Sequence, residues 1–566
     1  MNLSSLILKY FFPYADKKEF NKWATFTLSA AVDFLENKDG QKLHEYISPN
    51  DIAKLFQDFL IPEKGKDLFD VLSETMNHIV KNSVKVSHPF YIGHMTGACP
   101  NFTILCDLII SFLNQNVVKI ETALSATYVE RQILNWMHNL IYKNKKFLNK
   151  KIFEDSNYFL GSFCSGGTIG NITALLVARN KLFPSIHKDG VNTAFKKSGC
   201  KKAVVLVSSR GHYSIKKAAA ILGIGEKNVI PIPCHRDSNN IDIRKLDDTI
   251  KKLIKQQIKI IAIIGIAGTT ETGNIDNLNQ LATITKKYKI WFHVDAAWGG
   301  ALLFSKKYQS KLLGIEKADS VVLDGHKFLF LTLSNSAVLF KDAYALNLIK
   351  HNANYIIREG SGDLGKTSIE GSRRFDSLKL WFAIKIIGRE GYEALINNAI
   401  ENAFLFKQMI DSHPSFEMTN IPETGIVTYR FIPKILKVKL QSAKNIYHLS
   451  KSQQTVELKR NFTKLQKEFL PLIVKINDFI NELNINLQKQ QRKNGNSFVS
   501  RTLLESVWER QEIVVLRAIP FNPLIKIETL SEILKEQEAI GNALFESEFP
   551  DFLKQVPLAV SFVCKV

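Results

Sequence analysis

Four short stretches of the chain hold side chains whose types could do chemistry together. The segment SVVLDGHKFLFLTL at 320–333 sets one lysine, Lys327, among mostly apolar residues. An ammonium buried there without a partner would be strongly destabilising, so the position implies a use for the amine itself. WFHVDAAWGG puts Asp295 directly after an apolar run, and SSRGHYS puts His212 where a helix begins. GSFCSGGTIGNITALLVAR leads through Ser165, Gly166, Gly167 and Thr168 into an apolar helix. Each has an ordinary reading by itself: a turn, a helix cap, a structural histidine. One chemistry uses all four. A lysine amine, its pKa lowered by an apolar setting, attacks an aldehyde. A carboxylate keeps a pyridine nitrogen protonated so that the ring can take up electrons. A glycine-rich helix start offers N–H groups to a phosphate dianion, and a flat side chain packs on the ring. That set describes pyridoxal 5'-phosphate as cofactor, with Lys327, Asp295 and His212 as the catalytic residues.

Such residues need a scaffold that brings them to one rim. From about 150 to 340 short β-branched runs alternate with helical patterns. The expected strands are KAVVLVSS (202–209), NVIPIP (228–233), IKIIAIIGIAG (258–268), KIWFHVDA (289–296) and SVVLDG (320–325). The alternation predicts an α/β fold with a mostly parallel central sheet and crossover helices. In open α/β sheets, ligands bind beyond the carboxyl ends of strands, and His212, Asp295 and Lys327 each follow such an end. Residues 1–87 read as a helical N-terminal segment broken at Pro and Gly. Residues 88–390 read as the large cofactor-binding domain, and 391–566 as a smaller C-terminal α+β domain with a basic insertion at 434–462.

The length of 566 residues, 45% of them hydrophobic and 23% charged, suits two or three domains around a large core. No apolar run approaches the ~20 residues of a membrane span; the longest candidate, TILCDLIISFL at 103–113, carries Asp107. The N-terminal MNLSSLILKYFFPYADKKEF lacks a clear basic start and a small-residue cleavage site, and reads as an amphipathic helix. Cys99, Cys106, Cys164, Cys200, Cys234 and Cys564 form no CxxC pair, which points to reduced thiols in a cytoplasmic protein, with no disulfide frame and no metal site. The net charge of +21 invites a nucleic-acid reading. The lysines are dispersed, however, as in KKLIKQQIK and QKQQRKNG, like solvated helix faces with no nucleic-acid signature beside them. The expectation is therefore no nucleic acid and no membrane; the positive field would instead draw in a small acidic substrate.

The order SGGT … GHYSIKKAA … AGTTETGNID … HVDAAWGG … DGHK resembles the group II pyridoxal-phosphate decarboxylases, which include glutamate, aromatic amino-acid and cysteine-sulfinate decarboxylases. The similarity runs from HPFYIGHMTGACP at 88–100 to VVLRAIPFNP at 514–523. NQNVVKIETA (114–123), VLDGHK (322–327), GDLGKTSIEGSRR (362–374) and QRKNGNSFVSRT (491–502) resemble the bacterial aspartate 1-decarboxylase branch. The resemblance implies the type I fold of the aspartate aminotransferase superfamily and a homodimer with shared active sites. It also implies residue roles. Lys327 would bond to the cofactor aldehyde, Asp295 would pair with the pyridinium nitrogen, and His212 and Ala297 would pack on opposite ring faces. Thr270 would support Asp295 and the ring substituents, while Gly167, Thr168, Asp324 and His326 would surround the phosphate. His94, Thr96 and Arg517 fall where relatives contact a substrate carboxylate, and paired guanidinium donors suit an acidic amino acid.

Three departures from the family pattern bear on the site. Asp324 stands where other branches carry Asn or Ser, and would act through its neighbours or be turned away from the phosphate. After DGHK relatives run through a Pro- or Gly-containing turn, whereas this chain has FLFLTLSNSAVLF. Several relatives return the proton to Cα from a loop tyrosine; EGSGDLGKTSIEGSRR has none and Tyr355 precedes it without aligning, which leaves His212 and Lys327 as candidates. The expected activity is decarboxylation of an acidic L-amino acid. L-Aspartate, giving β-alanine for pantothenate synthesis, comes first, then glutamate giving 4-aminobutyrate, then cysteine sulfinate. Aspartate and glutamate differ by one methylene, worth only about 1–3 kcal/mol in a pocket. Transamination or oxidative deamination on the same cofactor is a second possibility, and a non-catalytic basic scaffold or nucleic-acid binder a third.

Overall fold

Apolar runs from the middle of the chain assemble into one sheet. In chain order its strands are β1 (Gly161–Cys164), β2 (Ala203–Ser208), β3 (Val229–Ile232), β4 (Lys259–Ile266), β5 (Trp291–Asp295), β6 (Ser320–Asp324) and β7 (Ser336–Phe340). They lie in the order β1-β7-β6-β5-β4-β2-β3. The five expected strands are the parallel block, and β7 runs antiparallel to both β6 and β1. The computed structural model describes residues 3–36, 40–143, 151–235, 238–352, 360–438, 440, 456–505 and 511–555. Tyr355, Cys564 and the centre of the basic insertion at 441–455 lie outside these residues.

Strand side chains alternate between two cores, one on each face of the sheet. Val204 and Leu206 join one apolar cluster, Val205 and Val207 the other. Helices Ile243–Lys255, Leu278–Tyr288 and Ser125–Tyr142 cover the first face; Gly167–Leu182, Ile186–Lys197 and Ser214–Ile221 cover the second. Burial on both faces explains why these strands read as nearly unbroken apolar runs. Helix Gly167–Leu182 lies tightly on β6: a Cβ at Gly170 would come within 2.8 Å of Val322 Cγ2. That approach sets the helix's first turn at the rim where β6 ends.

The chain returns from β6 to β7 without Pro or Gly after Lys327. Phe330 makes the reversal in the left-handed region, φ 58°, a conformation costing a non-glycine residue roughly 1–2 kcal/mol. Its ring stacks on Phe521 at 5.5 Å, and Phe328 stacks on Trp298 at 4.6 Å. The apolar residues around Lys327 are thus core anchors for a turn.

A second, antiparallel sheet follows: β8 (Phe416–Met418), β9 (Val427–Phe431), β10 (Ser500–Glu505) and β11 (Glu512–Ala518), in the order β10-β11-β9-β8. Helices Val456–Asn494 and Ile527–Gln555 lie against it. Helix Ser377–Ser412 runs between the two sheets and breaks at Gly388, φ 67°, just before the expected boundary at 390/391. The N-terminal helices Leu3–Tyr10, Lys17–Leu35, Pro49–Lys54 and Leu68–Glu74 contain no buried residue. No helix among the described residues is long and apolar enough to cross a membrane.

Asp276 ties the β4 end to the rest of the rim. Its buried carboxyl accepts from Ile266 N at 2.9 Å and Ile241 N at 2.8 Å, and burial pushes its pKa up to about 6. Asp276→Ala leaves both donors unpaired, and chemical denaturation should show a loss of about 2–4 kcal/mol. Because the native carboxyl titrates above its ordinary value of 3.8, its stabilising contribution is full below that pH and is lost as pH rises through about 6.

Candidate active site

Five chain crossings meet at the carboxyl rim of the parallel strands and enclose a cleft of about 280 Å³. β1 leads into Gly167 and Thr168, β2 into His212, β4 into Thr270, β5 into Asp295 and Ala297, and β6 into Asp324, His326 and Lys327. All nine of these expected cofactor residues line that one cleft.

Asp295 is held by neutral donors. Asn171 Nδ2 donates to its Oδ2 at 2.9 Å, and the Ala297 N–H donates to its Oδ1 at 3.2 Å. A carboxylate can only accept, so the amide nitrogen of Asn171 must face it, and the rest of the network takes its polarity from that choice. Asn171 Nδ2 also donates to Ser214 Oγ at 2.9 Å, while its Oδ1 accepts from His293 Nε2 at 2.9 Å. His293 therefore carries its hydrogen on Nε2 and accepts the Ser320 hydroxyl at Nδ1, 2.9 Å away; Ser320 Oγ in turn accepts from Trp291 Nε1 at 2.9 Å. Complete burial pulls the His293 pKa down to about 4, so the ring is neutral.

The same network sets His212. Its Nδ1 lies 2.8 Å from Ser214 Oγ and accepts from the Ser214 backbone N–H at 3.3 Å. A backbone N–H can only donate, so neutral His212 carries its hydrogen on Nε2. Burial lowers its pKa despite Asp295 nearby.

At the opposite end, Lys327 Nζ lies 3.0 Å from Asp324 Oδ2. Burial is the largest influence on this amine and lowers its pKa, but Asp324 and Asp295 outweigh it and the net shift is upward. This corrects the expectation of an uncharged lysine in an apolar setting: the flanking apolar side chains point into the core, and the amine faces carboxylates. Asp324 is not turned away either. Its side chain is 1% exposed, its Oδ1 accepts from Ser336 Oγ at 2.6 Å, and a Cβ at Gly167 would sit 3.0 Å from both its oxygens. His326 accepts the Asn335 N–H at Nδ1, 3.0 Å away, so its neutral ring presents Nε2–H, 3.6 Å from Asp324 Oδ2.

The expected substrate residues stand apart from this wall. Met95 lines the cleft, but its neighbours His94 and Thr96 do not. The His94 ring stacks on Phe498 at 5.7 Å, and Thr96 hydrogen-bonds Tyr91. Arg517 lies behind Thr270, donating from Nε to its carbonyl at 2.7 Å and from Nη1 to Gly93 O at 3.2 Å. No described residue accepts from its Nη2. Burial brings the Arg517 pKa down to about 10, with Glu271 opposing.

The loop after Lys327 is tied down by charge. Lys379, fully buried, pairs with Asp107 at 3.2 Å and Asp376 at 3.0 Å and donates to Leu333 O at 3.0 Å. Asn335 Nδ2 donates to Asp376 O at 2.7 Å. This cluster holds in place the turn that family members make with Pro or Gly.

A lysine, a neutral-donor-held carboxylate, an imidazole and a glycine-led helix start in one cleft define a pyridoxal-phosphate site. Comparison with known proteins agrees. Residues 49–432 match the pyridoxal-dependent decarboxylase conserved domain. The chain is 38% identical over 538 residues to aspartate 1-decarboxylase of Aliivibrio fischeri, covering 92% of this chain and 94% of that protein. It is 28% identical to L-2,4-diaminobutyrate decarboxylase of Acinetobacter baumannii, covering 66% and 73%. The crystal structure of mouse CSAD superimposes with a TM-score of 0.78 at 23% identity, covering 92% of this chain and 99% of that one. The chain belongs to the pyridoxal-dependent decarboxylase family, and its cofactor is pyridoxal phosphate. The site fits that group on structural grounds: no side chain caps helix Gly167–Leu182, which leaves its first N–H groups for an anion, and a Cβ at Gly167 would be crowded by Asp324 at 3.0 Å and Ala297 at 3.3 Å.

Asn171, Ser214, His293 and Ser320 escape sequence reading. The signal was faint: an asparagine in an apolar helix and a histidine in an apolar strand, both needing buried partners. Asn171→Leu should weaken cofactor binding at least about tenfold, since one amide supports both Asp295 and Ser214. Nitrogen-15 NMR of His212 should find Nδ1 unprotonated at neutral pH in the native protein.

Proposed function

We propose that this chain decarboxylates L-aspartate to β-alanine, with Lys327, Asp295 and His212 as catalytic residues. The observation that carries the reading is the convergence of these three on one small cleft with an uncapped helix start. When bound, the cofactor supplies an aldehyde for an amine and an electron-poor ring that takes up the electron pair left by departing carbon dioxide. The protein's part is positional and electrostatic. Asp295 would hold a proton on the pyridine nitrogen. His212 and Ala297 would flank the ring, and Gly167, Thr168, Asp324 and His326 would surround the phosphate, with His326 offering its Nε2–H. Lys327 Nζ would hold the cofactor at its aldehyde until a substrate amine replaces it. His212 Nε2–H, turned toward the cleft, is placed to return a proton to Cα. Arg517, whose charge is felt by His94, would supply donors from Nη2 for the substrate's acidic side chain, with His94 and Thr96 as the further substrate contacts.

Aspartate is favoured by similarity over nearly the whole length of a protein bearing that name. Glutamate and cysteine sulfinate follow, being acids of similar size. A basic substrate has one observation on its side: Glu271 Oε2 is buried without a hydrogen-bond partner, close enough to His212 and Arg517 to affect both. A homodimer is supported by apolar residues left exposed: Tyr213 at 68% and Leu333 at 66% on the cleft lining, Leu124 at 66%, and Phe59, Leu60 and Ile61 on the N-terminal segment. Operation in the cytoplasm accords with thiols that need no oxidising compartment.

The test is purified protein, loaded with cofactor, offered a panel of aspartate, glutamate, cysteine sulfinate, 2,4-diaminobutyrate and aromatic amino acids and scored for carbon dioxide and primary-amine product. Aspartate should give the highest kcat/KM; an aromatic or diaminobutyrate preference defeats the reading. Lys327→Ala should abolish turnover, and Asp295→Asn should lower kcat by about a hundredfold or more. Arg517→Ala should raise KM for aspartate more than it lowers kcat.

A further inference from the structure

Forming or exchanging a bond between Lys327 and an aldehyde requires the amine to lose protons and oxygen to gain them. An ammonium has no lone pair to attack with. Burial opposes the charge on Lys327, but the neighbouring carboxylates keep it an ammonium at neutral pH. A proton acceptor must therefore stand at Nζ.

The surrounding groups differ sharply in their ability to serve. Asp295 has both oxygens engaged, by Asn171 and by the Ala297 N–H. The accepting nitrogens of His212 and His326 are turned away, to Ser214 and to Asn335, and each presents Nε2–H instead. Cys164 on β1 is a thiol whose pKa burial drives far up. Asp324 remains. Its Oδ2 is the carboxylate oxygen within 4 Å of Lys327 Nζ among the described residues, at 3.0 Å. Ser336 on β7 fixes the other oxygen from behind at 2.6 Å, so Oδ2 has a set direction. The Nε2–H of His326 also lies 3.6 Å from this oxygen.

We propose that Asp324 is the acid–base residue for Lys327, taking and returning the proton whenever this amine makes or breaks its bond to the cofactor. The assignment rests on the pyridoxal-phosphate reading of the cleft and goes beyond it, because it gives Asp324 a proton-transfer role at Nζ in addition to its place beside the phosphate. The step balances. Nζ passes one proton to Asp324 Oδ2 and bonds to the aldehyde carbon as the carbonyl π bond breaks. The oxygen takes a second proton from nitrogen. Asp324 then returns its proton to that oxygen, the carbon–oxygen bond breaks, water leaves and the carbon–nitrogen double bond closes. The carboxylate is regenerated, and the positive charge that began on the ammonium ends on the protonated carbon–nitrogen bond.

The experiment is rapid mixing of cofactor-free protein with pyridoxal phosphate, followed by absorbance, from about pH 6.5 to about pH 9. With an internal acceptor, wild-type protein should incorporate cofactor at a rate nearly independent of pH beyond the trend of free pyridoxal phosphate itself. Asp324→Asn and Asp324→Ala depend on solvent to remove the proton, and their rates should climb by about tenfold per pH unit relative to wild type. The two substitutions differ in shape, so a folding defect in one, visible in its melting curve, leaves the other to decide. Equal pH slopes in wild type and variant overturn the proposal. Borohydride reduction and peptide mass mapping of the wild type separate this failure from a deeper one: cofactor fixed on Lys327 with equal slopes refutes only the role of Asp324, whereas cofactor fixed elsewhere refutes the site itself.

Discussion

A buried carboxylate with no cation bonded to it among the described residues is the constraint on which the rest of this site depends. Asp295 is 7% exposed, and its hydrogen bonds come from an amide side chain and a backbone N–H. Such neutral donors satisfy a charge without cancelling it. A lysine or arginine in the same place would hold Asp295 in an ion pair and leave little attraction for a protonated ring nitrogen. Because a carboxylate accepts and never donates, it dictates the orientation of Asn171, then the tautomer of His293, then the hydroxyl direction of Ser320. The branch through Ser214 reaches His212. His212 and Asp295, proposed for the ring face and the ring nitrogen, are therefore parts of one oriented network.

The other end of the cleft is organised by charge compensation. Asp324 and Lys327 pair across one turn of the chain, and the segment beyond them is anchored by the buried Lys379 between Asp107 and Asp376. That anchoring lets Phe330 adopt a left-handed backbone where glycine would be expected, since its ring is fixed on Phe521. Cavity shape at the lysine thus derives from residues far along the chain: β11 leads into Phe521, and helix Ser377–Ser412 brings Lys379.

Much of this was legible in the sequence for identifiable reasons. Strands covered on both faces appear as apolar runs, so β2 to β6 could be read directly, and the polar residue just after each run marks the rim. Gly167, Thr168, His212, Asp295 and Lys327 could be read from the residues, and the family resemblance added Thr270, Ala297, Asp324 and His326; all nine line the cleft. Harder to read were features depending on a partner distant in sequence. β7 lies in the unpunctuated FLFLTLSNSAVLF, where no Pro or Gly announces the turn. Asn171 and His293 look like accidents within apolar elements until their mutual hydrogen bond is seen. The charge state of Lys327 was misjudged because apolar neighbours in sequence are not its neighbours in space; the amine meets Asp324 and feels Asp295. That Arg517 also carries Thr270 and Gly93 with two of its nitrogens was equally hidden, since both partners are distant in sequence.

The central claim is that Asp295 keeps the cofactor's ring nitrogen protonated. Nitrogen-15 NMR of the holoenzyme loaded with ring-labelled pyridoxal phosphate tests it without relying on turnover. The arrangement predicts the chemical shift of a pyridinium in the native protein and its loss in Asp295→Asn. A native enzyme whose ring nitrogen gives the shift of a neutral pyridine would contradict it.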